Sequence, residues 1–162
     1  MTSCRNPSDF ARRPYPGKLR APIPRCCVAA IPTLDNMTLQ ETNLRVLVVD
    51  DNADAADALA SLLAIFDCTV NVAYSGIEAL AVGEAICPQC VIIDVAMPRM
   101  DGCETARRMR ERPWGEQACI AALTAWGGDD SRQRTVQAGM DFHLVKPVSA
   151  EVLLGVLACA RA

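Results

Sequence analysis

Val46-Leu47-Val48-Val49-Asp50-Asp51-Asn52 is an apolar run that stops at two adjacent carboxylates. The run is short, unbroken and rich in branched side chains, which is the pattern of a parallel strand buried on both faces. Further along the chain, Val91-Ile92-Ile93 closes on Asp94, Cys119-Ile120-Ala121-Ala122-Leu123 closes on Thr124, and His143-Leu144-Val145 closes on Lys146. Strands of one parallel sheet present their carboxyl ends at the same edge. Asp50, Asp51, Asp94, Thr124 and Lys146 should therefore meet in one crevice, although up to 96 positions separate them. Three acids, a hydroxyl and an amine gathered there suit a divalent cation and a phosphoryl group.

The segments between these runs carry a helical period. Over 53–66, Ala55, Leu59, Leu62, Leu63 and Phe66 recur on one face at the spacing of an amphipathic helix. Thr69-Val70-Asn71-Val72-Ala73 reads as a second strand, and Ser75-Gly76-Ile77-Glu78 as a capping box opening a helix to about Ile86. Helices are predicted near 103–111 and 129–138 and from Ser149 to about Ala160, with strands over 90–94, 118–124 and 141–146. Gly139 stands where a helix C-cap would be. Five strand–helix units in alternation imply an α/β fold, a doubly wound five-stranded parallel sheet covered on both faces.

Composition sets further bounds. At 162 residues the chain is long enough for one domain with an appendage, and its 4% aromatic share leaves a core of Leu, Val, Ile and Ala. Residues 1–43 hold Pro7, Pro14, Pro16, Pro22, Pro24 and Pro32 without any strand or helix period, so they read as a disordered, Pro/Arg-rich extension ahead of a domain at 44–162. This stretch is read as a passive tail or as the product of an upstream start codon, with Met37 a natural first residue and a basic tail touching an acidic partner as the alternative. Residues 1–36 carry a net charge of +4 and residues 37–162 a net of −7. The acidic balance of the domain argues against direct nucleic-acid contact. The nine cysteines are odd in number and scattered through predicted elements, which suits a reducing cytoplasm better than a disulfide framework. No stretch reaches the roughly 18 apolar residues of a membrane span, and Arg12-Arg13 is not followed by an export-type apolar run.

Taken together, Val-Val-Asp50-Asp51-Asn52, Ile-Ile-Asp94-Val-Ala96-Met97-Pro98-Arg-Met-Asp101-Gly102, Leu-Thr124-Ala125 and Val-Lys146-Pro147 resemble the motifs of the receiver domain of bacterial two-component response regulators. The resemblance covers about residues 44–160, with 43 residues from Asp51 to Asp94, 30 more to Thr124 and 22 more to Lys146. The tail from Phe142 to Val148 is similar to receivers attached to hybrid sensor kinases. The family implies a flavodoxin-like sheet of order 2-1-3-4-5. It also implies a phosphorylation-controlled signalling module of a phosphorelay rather than an independent enzyme. In such a module Asp94 takes a phosphoryl group from a phosphohistidine on a sensor histidine kinase or histidine phosphotransfer protein, forming an acyl phosphate. The resemblance implies Mg²⁺ bound by Asp51, Asp94 and the backbone carbonyl of Ala96, with Asp50 acting through a water. It implies that Lys146 meets a phosphoryl oxygen, that Lys146-Pro147 is cis, and that Thr124 and His143 form the switch. The switched surface lies on the fourth predicted helix, the fifth strand and the fifth predicted helix and binds a downstream protein; no separate output domain is expected.

Two positions depart from the family pattern. His143, the single histidine, stands where the family more often holds an aromatic ring. It is read as a flat, polar-tipped ring filling that role, with a pH-sensitive switch as the alternative because imidazole titrates near neutrality. Trp126, two residues after Thr124, is bulky enough to slow hydrolysis of an acyl phosphate. Cys87-Pro88-Gln89-Cys90 ends a helix and starts a strand, the reverse of a thioredoxin-type motif, and lacks the four ligands of a zinc site. A phosphatase with an aspartyl intermediate would place a second acid two positions after the nucleophile, where this chain has Ala96. A flavin or nucleotide carrier would offer Gly, Ser or Thr amides to a phosphate, where this chain has Asp50-Asp51.

Overall fold

The computed structural model describes residues 43–161. The expectation of a disordered extension over 1–43 lies, but for Asn43, outside the described residues. Five strands, β1 (Leu44–Val49), β2 (Cys68–Ala73), β3 (Cys90–Asp94), β4 (Cys119–Thr124) and β5 (Phe142–Val145), form one sheet. Its order is β2-β1-β3-β4-β5 with every neighbouring pair parallel, the flavodoxin-like arrangement.

Alternation along the strands feeds two separate cores. Leu47, Val49, Val91, Ile93, Ile120 and Ala122 point to one face, where they meet Ala79, Ala106 and Met109. Val46, Val48, Ile92, Ala121, Leu123 and Leu144 point to the other, where they meet Ala56, Leu63, Leu153, Val156 and Leu157. The helices α1 (Ala53–Ile65) and α6 (Ala150–Arg161) thus cover the second face, while α2 (Gly76–Ile86) and α3 (Gly102–Arg110) cover the first. Among the described residues no Phe, Tyr or Trp side chain is fully buried, so this core is aliphatic, as the composition required.

Helix starts follow local chemistry. Asn52, Ser75 and Asp101 cap α1, α2 and α3 by accepting the amides of Ala55, Glu78 and Glu104. The capping box at Ser75 is displaced by one residue, because Glu78 reaches back to the Tyr74 amide at 2.8 Å. After α5 (Asp129–Gln137), Gly139 takes φ of +81° and ends the helix as expected. One element is additional to the sequence reading: α4 (Pro113–Gln117), with Pro in its first turn. Its five residues are too few to show a period. Because of α4, the surface expected on the fourth and fifth predicted helices falls on α5 and α6.

The described cysteines differ in their exposure. Cys68, Cys90 and Cys103 are buried and Cys87 is exposed at the left-handed C-cap of α2. Cys90 and Cys119 are register partners on β3 and β4. The hydrogen bond to Cys90, together with burial, pushes the Cys119 thiol far above its ordinary range. No described helix is long and apolar enough to cross a membrane.

Candidate functional site

Sheet register brings the strand ends together. Val49 pairs with Ile93, Asp94 with Leu123, and Thr124 with Val145, so Asp50, Asp94, Thr124 and Lys146 leave adjacent strands at one edge. Lys146 lies between the first two, with Nζ donating to Asp94 Oδ1 at 2.6 Å and to Asp50 Oδ2 at 3.1 Å. Those bonds span 52 and 96 positions of sequence. Asp50 and Asp94 are buried and Asp51 is exposed. Asp50 Oδ1 also accepts the Asn52 amide at 3.0 Å, which fixes the carboxylate against the start of α1. Lys146-Pro147 is cis, as the resemblance implied.

The three carboxylates can each offer an oxygen within 4.8 Å of the others, and no other described group of His, Cys, Asp or Glu converges in this way. Two buried acids share one ammonium, which leaves an excess of negative charge where water is scarce. An all-oxygen donor set with surplus negative charge fits a small hard divalent cation. Ala96 lies in the exposed loop after β3, and its carbonyl accepts no hydrogen bond from the described residues. Burial alone would lower the Lys146 pKa, but the bonds to Asp94 and Asp50 outweigh it and hold the ammonium above its ordinary value.

The loop between β3 and α3 is pressed against the site. A Cβ on Gly102 would collide with the Asp94 carbonyl oxygen, and the Gly102 amide donates to Val95 O at 3.0 Å. Only a glycine lets α3 begin this close to the Asp94 backbone. Beside the acids lies a cavity of about 350 Å³ lined by Asp51, Tyr74, Ser75, Met97, Pro98 and Arg99. A second hollow of about 190 Å³ runs from Asp50 and Lys146 to Leu59, Leu62 and Leu153 on α1 and α6.

Thr124 and His143 occupy neighbouring strands but do not yet meet the acids. The Thr124 hydroxyl accepts the Trp126 amide at 3.0 Å and lies 3.2 Å from the Trp126 carbonyl, so it is turned into its own loop. His143 is buried, with Nδ1 at 3.1 Å from the Thr135 hydroxyl of α5. That hydroxyl also lies 2.8 Å from Arg132 O, to which it can donate. Nε2 is buried without a hydrogen-bond partner of good geometry among the described residues. Burial, helped by the Arg132 charge and opposed by the Trp126 backbone, pushes the His143 pKa down. The Trp126 indole is 75% exposed and lines neither cavity.

The family model of the response regulator receiver domain matches residues 46–158. The chain belongs to that family. This receiver is 42% identical over 103 residues to an uncharacterized 14.6 kDa protein of Leptolyngbya boryana, covering 64% of this chain and 79% of that one. It is 37% identical to the response regulator MprA of Mycobacterium ulcerans over 69% of this chain, and spans only 47% of that relative's length. Among solved structures it is similar to the receiver domain of the sensor histidine kinase PA1611 from Pseudomonas aeruginosa, which holds a magnesium ion in its active site cleft. That likeness has a TM-score of 0.68 and 26% identity, and covers 74% of this receiver and 99% of that domain. The acidic edge described above is thus the Asp triad of a receiver domain.

Arg99 and Tyr74 are pocket-lining side chains to which the sequence assigns no role. Glycine or asparagine after Pro98 would have signalled the left-handed backbone at Arg99, and arginine gives no such signal.

Proposed function

We propose that residues 44–162 act in the cytoplasm as a phosphorylation-controlled module of a two-component phosphorelay, with Asp94 as the phosphoryl acceptor. The observation that carries this reading is the 2.6 Å bond from Lys146 Nζ to Asp94 Oδ1, made beside two further carboxylates. The donor is a phosphohistidine of a sensor histidine kinase or histidine phosphotransfer protein. An Asp94 carboxylate oxygen bonds to phosphorus while the P–N bond breaks, its electron pair leaving on the imidazole nitrogen.

Asp51, Asp94 and the Ala96 carbonyl would hold Mg²⁺ directly and Asp50 through a water; when bound, the ion offsets the charge of the phosphoryl oxygens. Lys146 supplies a fixed positive charge on the inner side of the same group. The new oxygens then draw the Thr124 hydroxyl away from Trp126, since they are stronger acceptors than a backbone carbonyl. Release of the Trp126 carbonyl alters what His143 packs against, and the surface of α5, β5 and α6 that binds a downstream protein changes with it.

Asp94→Asn should abolish acid-labile phosphate incorporation from phosphoramidate or a phosphorylated histidine phosphotransfer protein, while circular dichroism keeps its native shape. Undiminished labelling of that variant would place the acceptor elsewhere.

A further inference from the structure

Arg99 holds a strained backbone without a side-chain hydrogen bond or ion pair among the described residues to hold it there. Its φ is +67°, and the Met100 amide donates to Pro98 O at 2.9 Å, closing a three-residue turn centred on it. A γ-turn of positive φ is strained for any residue with a Cβ. No hydrogen bond or ion pair with the described residues engages its guanidinium. The side chain instead lines the cavity that Asp51 also lines.

The other polar walls of that cavity are poor partners for an anion. Asp51 repels one. The Tyr74 hydroxyl donates to Asp57 Oδ1 at 2.9 Å, and Ser75, whose hydroxyl oxygen accepts the Glu78 amide at 3.2 Å, offers only one uncharged O–H. Lys146 is committed to Asp50 and Asp94 and is not part of this wall. Among the residues lining the cavity, Arg99 alone is cationic. Its planar fork of donors matches phosphate oxygens two at a time, which an ammonium does not.

We infer that Arg99 is the donor-capture residue of this receiver, binding the oxygens of the incoming phosphoryl group in the outer cavity before transfer to Asp94. The inference rests on the phosphoacceptor reading above. The group captured is a phosphoryl carried on nitrogen, such as phosphoramidate or phosphohistidine. Arg99 takes no part in bond making, so it sets the donor concentration needed rather than the rate at saturation.

The test is the initial rate of acid-labile phosphate formation against phosphoramidate concentration, at fixed magnesium, for wild type, Arg99→Gly and Arg99→Glu. Glycine removes the cation and also relieves the turn, so this variant should melt no lower than wild type. The half-saturating concentration should rise about threefold in Arg99→Gly and about tenfold in Arg99→Glu, with the maximal rate within twofold. The gap should narrow as ionic strength rises. An unchanged half-saturating concentration in both variants would overturn the inference, as would a fall confined to the maximal rate. Failure of the wild type to label at any donor concentration would sink the phosphoacceptor reading and, with it, the role given to Arg99, a result readily told apart from the other two.

Discussion

At the amino end of β5, Arg110 gives four hydrogen bonds, to the carbonyls of Gly139, Gly115 and Ala118 and to Asp141 Oδ2. At its carboxyl end, Lys146 gives two, to Asp50 and Asp94. Both clusters join a cation to carboxylates near the sheet. Around Arg110 nearly every donor is matched, and Asp141 Oδ2 also takes the Ile120 amide at 2.8 Å. Its side chain is 15% exposed against 37% for Lys146. Around Lys146 two buried carboxylates share one ammonium and a third acid stands nearby, so charge remains uncompensated. A closed cluster of this kind fixes α3, α4 and the start of β5; an open one can still receive a ligand. What separates a staple from a site is leftover bonding capacity, not residue type.

That contrast can be broken most forcefully at the closed end. Arg110→Met leaves Asp141 without its cation and three carbonyls without their donor, and should cost about 3 kcal/mol or more in urea unfolding. Phosphate labelling by the protein that remains folded should hold its wild-type rate. A variant that is stable but labels poorly would show that the two ends of β5 are not separate in function.

Next in size is the open end. Lys146→Met should slow labelling about a hundredfold, the usual scale for removing one preorganised charge donor. Its urea midpoint should move less than that of Arg110→Met, since the solvent-accessible lysine is partly screened. A larger stability loss than Arg110→Met would reverse the assignment of staple and site.

The smallest effect lies midway along β5. Burial lowers the His143 pKa, so between that depressed value and the ordinary 6.5 the unfolded chain binds more protons than the folded one. Stability contributed by neutral His143 is therefore present above this window and is lost as pH falls through it, by no more than about 1.4 kcal/mol per pH unit. His143→Phe should flatten that part of the profile. Equal slopes for variant and wild type between pH 7 and 5.5 would show that the imidazole stays neutral in both states or titrates alike in both.

The strands and the acidic edge were legible because full burial in a parallel sheet writes itself as unbroken apolar runs, each stopping where polar chemistry begins. Asp50, Asp94, Thr124 and Lys146 needed nothing more than their positions at the ends of those runs. The Arg110 cluster was not legible. Three of its partners are backbone carbonyls, which leave no residue-type trace. The short α4 lacked the length for a period, and the strained turn at Arg99 was hidden because its residue type does not advertise a left-handed backbone. The inward turn of the Thr124 hydroxyl was hidden for another reason: its partner is the backbone of Trp126, and either orientation satisfies the same sequence.

The distribution of thiols has a practical consequence. Cys87 is open to solvent while Cys68, Cys90 and Cys103 are shut inside. An alkylating dye should therefore modify Cys87 at once and reach the interior sulfurs only when the sheet or its helices part. Mass spectrometry of a timed alkylation would give each layer its own clock for transient opening, with no foreign probe grafted onto the protein.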